Sequence, residues 1–423
     1  MKNISKVFSA KFKTDLMWNF FALFMMAVSG LLINIIIATN YSANVLGVFN
    51  QIYALYIVFA QLATVGITAS IIRYISPNLS DIASIVVSAL IVVIIFAFTI
   101  SVLLFMYAEI IGAAFNSNAI IKNIYYIAPG IFFFSINKIL LAVLNSLRWM
   151  RSYAIVQSCR YVMLIGFLLH LVFFENDDGT NLTLIFTYTE VLLFFFLVIL
   201  LRNNILNINL SEIYCWIKRH ISFGLRSFVG QIMLEMNTRV DVIMLGLFLS
   251  DKVVGVYSFV AMIAEGLIQI LSVLSRNVTP VITELCHRGL KQKLELTIKR
   301  GKYLSYGGIF IIGILAILSF PFWIELISSE EFHGDSWVIF SILALGVMCT
   351  AGYLPFKNIL TCAGMPGWHS SMIVILVVTN IILNLLFISF WQEIGAALAT
   401  SCALIISIIY MKIVVNTKLD VRI

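Results

Sequence analysis

Long apolar runs separated by short polar segments dominate the chain. A helix needs about 20 apolar residues to cross a bilayer, and runs of this kind occur twelve times. They cover residues 16–39, 45–72, 82–107, 119–146, 153–174, 182–201, 221–248, 253–278, 303–327, 336–362, 369–391 and 394–415. The pattern predicts an all-α integral membrane protein with twelve transmembrane helices.

Two pairs of similar stretches indicate an internal repeat. SANVLGVF from Ser42 is similar to SDKVVGVY from Ser250, and KILLAVLNSLRWM from Lys138 is similar to KNILTCAGMPGWH from Lys357. Because each half holds an even number of spans, both halves keep the same orientation, as in secondary transporters that bind substrate near mid-membrane. We expect a six-helix N-terminal lobe (1–201), a cytoplasmic interfacial linker (202–220) and a six-helix C-terminal lobe (221–423) with a basic cytoplasmic loop (279–302).

The distribution of basic residues predicts the orientation of the chain. If the N-terminus is cytoplasmic, the cytoplasmic segments hold twenty Lys and Arg residues and the external segments only Lys122 and Lys252. The external loops carry acidic residues instead: Glu175, Asp177, Asp178, Glu325, Glu330, Glu331 and Asp335. Since cytoplasmic loops are enriched in Lys and Arg, we expect both termini in the cytoplasm. The net charge of +7 then sets topology, and we expect no nucleic-acid partner.

Two cytoplasmic connections are long enough to hold helices. In the linker, a short helix from Ser211 would have an apolar face that includes Trp216, and we expect it to lie in the interface plane. In the loop 279–302, Thr279 is expected as N-cap and Pro280 as the first helical residue. The basic helix that follows suits an anionic inner leaflet, although both connections are equally well explained as simple tethers.

Composition excludes several classes of function. Only 11% of the residues are charged and 61% are hydrophobic, whereas about a quarter of a soluble domain is charged. The five histidines are scattered and no phosphate-binding G-x-x-x-x-G-K-[ST] occurs, so we expect neither enzymatic activity nor ATP hydrolysis. The six cysteines form no C-x-x-C pair. We expect no disulfide, no metal site and no cofactor.

Nine ionisable side chains lie inside predicted spans at least five residues from a span end, and near the bilayer centre each costs about 2.5–3.5 kcal/mol. The cations, candidates for binding an anionic substrate, are Lys138, Arg160, Arg226, Arg239 and Lys357. The acids, candidates for ion coupling, are Asp241, Glu235, Glu265 and Glu190. Two simpler explanations stay open: cations near span ends reach the headgroups, and Glu235 pairs with Arg239 on one helix face.

The seventh and eighth spans carry a family resemblance. RVDVIMLGLFLSDKVVGVYSFV, its first-half partner IIIATNYSANVLGVFNQIYAL and the duplicated twelve-span layout resemble the O-antigen and polysaccharide flippases (Wzx-type). Their superfamily also contains the multidrug and toxin extrusion (MATE) transporters and the lipid II flippases. The resemblance implies a MATE-like fold in the bacterial inner membrane, with a cationic cavity between the lobes that the five cations above match in type.

The resemblance also implies a substrate and partners. The substrate is an undecaprenyl-diphosphate-linked oligosaccharide repeat unit, moved from the cytoplasmic to the external leaflet by alternating access and coupled to a proton or sodium gradient. Besides membrane lipid, the implied partners are a polysaccharide polymerase and a chain-length regulator. Two other functions stay open: a cation-coupled multidrug antiporter, and a membrane scaffold for glycan assembly that transports nothing.

Overall fold

The computed structural model describes residues 2–75, 78, 81–174, 178–205 and 209–421, and these form helices and short connections without a strand. Glu175 and Asp177 of the predicted acidic loop lie outside the described residues. The helices are α1 (Lys2–Asn40), α2 (Ala43–Thr64), α3 (Ile67–Ile75), α4 (Ile82–Met106), α5 (Ala108–Ala114), α6 (Asn118–Ser146), α7 (Met150–Phe174), α8 (Leu184–Ile205), α9 (Leu210–Met236), α10 (Val240–Phe248), α11 (Asp251–His287), α12 (Lys291–Ile327), α13 (Ser336–Thr350), α14 (Ile359–Cys362) and α15 (Pro366–Lys418).

The helices coincide with the predicted spans. Within the described ranges, nine helices are long and apolar enough to cross a membrane, and ten if the bent pair Ser336–Thr350 and Leu354–Cys362 forms one span. The 53-residue α15 is divided at Gln392, which has φ 50° and ψ −128°, so it contains the eleventh and twelfth predicted spans. The seventh predicted span corresponds to α9 and α10, where charged residues interrupt the apolar pattern.

Several predicted spans are broken helices. Residues 65–66 separate α2 from α3, and both Val65 and Gly66 have positive φ. Residues 237–239 form turns between α9 and α10, so the seventh span is not continuous. Residues 351–358 separate α13 from α14, and Pro355 lies there in a short 3-10 helix, as expected for a residue that cannot donate a backbone hydrogen bond. These breaks leave backbone carbonyls that side chains can reach.

The two predicted cytoplasmic helices differ from the structure. The linker helix begins at Leu210 and continues without interruption into the seventh span. Its Trp216 is buried against the apolar core formed with α3, α4, α6 and α8, because packing an indole against protein removes it from water as effectively as lipid does. The predicted helix start at Thr279 is wrong: α11 continues through Pro280 to His287, and Gly289, with φ +67°, ends the helical segment.

The chain divides into two compact units. Unit 1 comprises residues 1–41 and 52–232, and unit 2 comprises residues 42–51 and 233–423. The first residues of α2 therefore belong with the second half of the sequence, and most of α9 belongs with the first half. The predicted lobe boundaries at residues 201 and 221 stay a prediction about the sequence repeat.

The repeated motif forms a close helix crossing inside unit 2. A Cβ on Gly47 would lie 1.7 Å from the Asp251 carbonyl oxygen, and a Cβ on Gly255 would lie 1.9 Å from the Ala43 carbonyl oxygen. Only glycine permits such a backbone approach. Beside it, Asn50 Nδ2 donates to Ser258 Oγ at 2.9 Å. The two similar stretches thus pack against each other where α2 crosses α11.

Candidate functional site

A buried ion pair links α7 and α8 in unit 1. Arg160 Nε lies 2.8 Å from Glu190 Oε1, and a terminal guanidinium nitrogen lies 3.1 Å from Glu190 Oε2. Asn137 of α6 donates to Glu190 Oε2 at 2.8 Å, and Gln157 accepts from Arg160 at 3.0 Å. Arg160 is 7% exposed and Glu190 3%. Both charges are therefore neutralised and hydrogen-bonded inside the protein.

Lys138 directly follows Asn137 in α6 but has a different environment. Its Nζ donates to Gln61 Oε1 at 2.6 Å, and Gln61 Nε2 donates to Gln231 Oε1 at 3.2 Å. The Phe134 ring centroid lies 5.5 Å from Lys138 Nζ and 4.9 Å from Arg160 Cζ. Such distances permit cation–π attraction. Lys138 is half-buried, so its ammonium is held by neutral polar and aromatic groups at the border of the core.

Stacked aromatic rings support this part of unit 1. The ring of Tyr56 stacks on Phe134 at 4.9 Å and on Phe186 at 5.2 Å, and Tyr53 stacks on Phe186 at 5.3 Å. Tyr56, Phe134 and Phe186 are all buried. These rings pack against one another, and the buried Phe134 ring among them lies beside both Arg160 and Lys138.

Asp241 is the centre of a polar cluster in unit 2. Its Oδ2 accepts from Thr400 Oγ1 at 2.5 Å and from the Tyr257 hydroxyl at 3.1 Å. Its Oδ1 accepts from Asn384 Nδ2 at 3.0 Å, and the same nitrogen lies 2.5 Å from Asn380 Oδ1. Every one of these partners is neutral. The Asn384 amide oxygen is buried and has no hydrogen-bond donor among the described residues.

The turn between α9 and α10 explains the position of Asp241. Because α9 ends at Met236, Asp241 falls in the first turn of α10, where unpaired backbone N–H groups and the helix dipole favour a negative charge. Asn380 and Asn384, four residues apart in α15, present one polar stripe, and Thr400 follows beyond the break at Gln392. The carboxylate of Asp241 on α10 is thus contacted by α11 and by the two parts of α15 on either side of Gln392.

Two more predicted charges belong to this region. Glu265 of α11 interacts electrostatically with Arg239 and with Asp241. Glu235 lies at the end of α9, and Arg239 is the N-cap residue of α10, so the two do not share one continuous helix. The structure therefore brings together Arg239, Asp241 and Glu265. The predicted pairing of Glu235 with Arg239 and the coupling role of Glu235 stay predictions.

A second group of cations surrounds the break in the tenth span. Half-buried Lys357 interacts electrostatically with Arg276 of α11 and with His369 of α15. In the described part of the chain no carboxylate forms an ion pair with Lys357 or Arg276. Arg226, in unit 1, is exposed. Lys357 and Arg276 therefore concentrate positive charge that an anionic ligand can neutralise.

Sequence reasoning identified the charges but missed most of their partners. Asn137, Gln61 and Gln231 in unit 1, and Thr400, Tyr257 and the Asn380–Asn384 pair in unit 2, are neutral residues without a motif. The one available signal was TNIILN, where two asparagines stand four residues apart in an apolar span. Intramembrane polar groups at helical spacing indicate a shared polar face. Arg276 was missed because it lies next to a predicted loop.

Comparisons with known proteins establish the family. Residues 14–286 match the family model described as polysaccharide biosynthesis protein, which is more than half of the chain. Residues 227–386 also match the MatE family model. No curated protein matches the chain in sequence.

Solved structures establish the fold. An inward-facing multidrug resistance MATE family transporter of the MOP superfamily aligns with a TM-score of 0.80 over 93% of this chain and 94% of that chain, at 13% identity. The lipid II flippase MurJ, in an inward closed conformation, aligns with a TM-score of 0.75 over 95% and 87%, at 16% identity. A MOP superfamily transporter from Pyrococcus furiosus, whose binding pocket is described as having reverse polarity, aligns with a TM-score of 0.59 over 94% of each chain, at 15% identity.

These findings confirm the predicted all-α, MATE-like architecture, and the two family-model matches confirm the predicted resemblance to polysaccharide biosynthesis and MATE proteins. They also confirm a multi-pass membrane protein, since the matched folds and the apolar helices agree. The chain therefore belongs to the polysaccharide biosynthesis protein family and has the fold of the MOP superfamily.

Proposed function

We propose that the protein is a flippase for an undecaprenyl-diphosphate-linked oligosaccharide. It moves the repeat unit of an O-antigen or related polysaccharide from the cytoplasmic to the external leaflet of a bacterial inner membrane, by alternating access. Both termini are cytoplasmic, and a polysaccharide polymerase and a chain-length regulator act on the product. The proposal divides the chain into lobes 1–201 and 221–423 joined by the linker 202–220, and it assigns the protein no enzymatic step.

The observation that carries this proposal is the family match over residues 14–286 together with the environment of the intramembrane cations. Lys138 is held by the neutral amide of Gln61, and Lys357 faces another cation, Arg276. A lysine ammonium inside the membrane region attracts an anion such as a diphosphate, and a partly buried ammonium does so at low local dielectric. Arg160 is a weaker candidate because Glu190 already neutralises it.

The Asp241 cluster supports coupling to a sodium gradient. Carboxylate, amide and hydroxyl oxygens are the ligands that hard cations prefer, and Asp241, Asn380, Asn384, Thr400 and Tyr257 all carry such oxygens. One carboxylate suits one monovalent charge. Because a charge that crosses 100 mV gains about 2.3 kcal/mol, one sodium ion per cycle is enough to favour one direction of transport.

Reconstitution in liposomes tests the flippase proposal. A fluorescent polyprenyl-diphosphate oligosaccharide is placed in one leaflet, and its appearance in the other is followed with a membrane-impermeant quencher. We expect Lys138→Gln and Lys357→Gln each to reduce the initial rate roughly tenfold, since each removes a charge-assisted contact of about 1.5–3 kcal/mol. Lys252→Gln, an exposed cation paired with Glu331 at 3.9 Å, is the matched control and retains the rate.

The outcomes separate the proposed function from its alternatives. If the wild-type protein does not move the lipid but exchanges a cationic drug for sodium or protons, it is a multidrug antiporter, which the MatE match over residues 227–386 favours. If it moves neither compound, and cells carrying the Lys138→Gln/Lys357→Gln variant still export normal surface glycan, the scaffold function is correct. Replacing the sodium gradient by a proton gradient distinguishes the two coupling ions in the same liposomes.

A further inference from the structure

Two lysines of unit 2 converge on one tyrosine at the break of the tenth span. Lys302 Nζ of α12 donates to the Tyr353 hydroxyl at 2.8 Å and lies 4.1 Å from the centroid of the ring. Lys412 of α15 lies near enough to act on the same hydroxyl by its charge. A tyrosine hydroxyl that accepts from lysine keeps its own proton to donate. The three groups therefore offer two positive charges and a hydroxyl donor at one point.

Two glycines hold this arrangement in place. A Cβ on Gly301 would lie 2.5 Å from the Phe356 ring, and a Cβ on Gly352 would lie 2.1 Å from the Tyr306 ring. The aromatic rings therefore pack directly on the backbone of the opposite segment, which sets Lys302, next to Gly301, over Tyr353. The Tyr306 hydroxyl donates to the Cys349 carbonyl at 3.1 Å and so satisfies an acceptor near the end of α13.

The two lysines have no acidic counterpart. In the described residues neither Lys302 nor Lys412 forms an ion pair with a carboxylate, and no acid contributes to the electrostatic surroundings of Tyr353. Elsewhere on this side of unit 2, Arg288 pairs with Glu284 and Lys291 with Asp420. Lys302 and Lys412 thus differ from Arg288 and Lys291, whose charges are neutralised by a carboxylate.

An apolar stripe leads from Tyr353 into the membrane region. Near the end of α13, Leu345 and Cys349, four residues apart, are exposed while the residues between them are buried. The flanking helices expose Phe310 on α12 and Ile409 on α15. From Leu345 to Thr350, the last residue of α13, the helix rises about 7.5 Å, about half of the roughly 15 Å of hydrocarbon in one leaflet. The stripe therefore offers an acyl chain an apolar surface over about half of its length.

We propose that unit 2 binds one anionic phospholipid at this place. The lipid phosphate lies between Lys302 and Lys412 and accepts from the Tyr353 hydroxyl, and one acyl chain lies along Leu345 and Cys349. Basic pockets between membrane helices bind anionic headgroups in this way. The proposal is independent of the transported substrate, because none of its residues belongs to the cations assigned to substrate binding. The continuous apolar stripe favours a lipid over free phosphate.

Native mass spectrometry of the full-length protein in detergent tests the site, with phosphatidylglycerol as the added lipid. We expect K302Q/K412Q to weaken binding of the first lipid roughly thirtyfold, since each lysine near an anionic group contributes about fivefold. Y353F keeps the ring but removes the donor, and we expect it to weaken binding about fivefold. The control K293Q/K299Q removes the same charge from exposed positions of α12 and should change binding less than twofold.

The alternatives give distinct results. If both double variants weaken binding equally, the attraction is diffuse electrostatics and the site does not exist. If inorganic phosphate or glycerol 3-phosphate displaces the lipid at millimolar concentration, the ligand is a free phosphate ester and the acyl-chain part of the proposal is wrong. Thermal unfolding of each variant in lipid-free detergent reports folding. If K302Q/K412Q folds poorly, Y353F and bulky substitution of the stripe by L345W decide the proposal.

Discussion

Glu190 in unit 1 and Asp241 in unit 2 are both carboxylates inside membrane-spanning helices, but their partners differ. Glu190 forms an ion pair with Arg160 and accepts from Asn137. Asp241 accepts from a threonine, a tyrosine and an asparagine, with a net negative charge left over. In the first arrangement the two charges neutralise each other. In the second, oxygen ligands for a cation surround the carboxylate, and no cationic side chain lies within hydrogen-bond distance in the described structure.

The difference indicates two uses for a buried acid. A paired acid is costly to separate from its partner, because removing either charge leaves the other without compensation. A carboxylate whose partners are all neutral can bind a cation, and binding stabilises the ion-bound state as the ion concentration rises. Such a site can respond to an ion gradient. We therefore expect the Arg160–Glu190 pair to stabilise unit 1, and Asp241 to carry the ion dependence of transport.

The largest expected effect comes from breaking the ion pair between Arg160 and Glu190. Glu190→Ala leaves the buried Arg160 guanidinium without its counter-charge, and we expect the free energy of unfolding to fall by about 3–5 kcal/mol. Denaturation in mixed detergent micelles, followed by circular dichroism, measures this loss. A loss below 1 kcal/mol would show that water or lipid headgroups compensate Arg160 and that the pair is not structural.

The double variant Arg160→Met/Glu190→Leu sharpens this test. Replacing a buried ion pair by apolar residues of similar volume is often neutral for stability, so most of the loss in the single variant should be recovered. Transport should also be retained, because the pair has no part in the proposed coupling. If the double variant folds but does not transport, Arg160 or Glu190 has the functional role that their positions in the sequence suggested.

The second effect concerns sodium. With sodium at a hundred times its dissociation constant, a native-state site stabilises a protein by about 2.7 kcal/mol, and we expect Asp241→Asn to abolish that increment. The unfolding free energy is measured in sodium and in choline chloride at equal ionic strength. Glu284→Gln, which removes an exposed acid paired with Arg288 at 2.8 Å, is the control and should keep the increment. Equal stabilisation of Asp241→Asn by sodium would place the ion elsewhere.

The sequence was sufficient for the helices because transmembrane length and apolarity decide them. Each predicted span corresponds to a helix or to a pair of broken helices, and the charge-rich seventh span was recognised although it is less apolar than the rest. The helix start predicted at Thr279 failed for a physical reason. Thr279 Oγ1 donates to the Ser275 carbonyl at 2.6 Å, so the residue stabilises a continuing helix instead of capping a new one.

The candidate sites were predictable only in part. Asp241, Glu190 and Arg160 stood out because ionised groups in apolar spans are rare. Their partners did not, since α7 meets α8, and α10 meets α15, through tertiary packing that no spacing in the sequence encodes. Nothing in the sequence distinguishes Thr400 from other neutral residues, and it is the break at Gln392 that places it next to Asp241. The roles of all nine charged candidates stay predictions for the experiments above.

A third test compares two threonines. Thr400→Val removes one hydroxyl from Asp241, and we expect sodium affinity to fall about fivefold, the equivalent of one net hydrogen bond of about 1 kcal/mol. Thr189 in unit 1 is buried, and its hydroxyl has no hydrogen-bond partner in the described structure. Thr189→Val should therefore leave stability unchanged or raise it. If Thr400→Val and Thr189→Val lower sodium affinity equally, the hydroxyl of Thr400 is not part of an ion site.

The smallest effect concerns His220, a third buried ionisable group, which lies in the linker and outside the spans. Ser70 Oγ lies 2.6 Å from its Nδ1, and its Nε2 lies 3.0 Å from the Ile85 carbonyl oxygen. The neutral ring satisfies both contacts if the hydroxyl donates and Nε2–H donates. Burial lowers the pKa of His220 to about 4 from its ordinary value of 6.5, although the bond to Ile85 acts in the opposite direction.

The sign of the pH dependence follows from this lowered pKa. The unfolded chain takes up a proton below about pH 6.5 while the folded ring stays neutral, so stability is present above that pH and falls as the pH drops towards 4. We expect a loss of roughly 0.7 kcal/mol between pH 7 and pH 6, absent in His220→Gln. Like Asp241, His220 has neutral partners, but both of its nitrogens are occupied. If the stability of the wild-type protein does not change with pH, the His220 ring takes up its proton in the folded protein as readily as in the unfolded chain. Neutral partners alone would then not distinguish an ion site from a structural site.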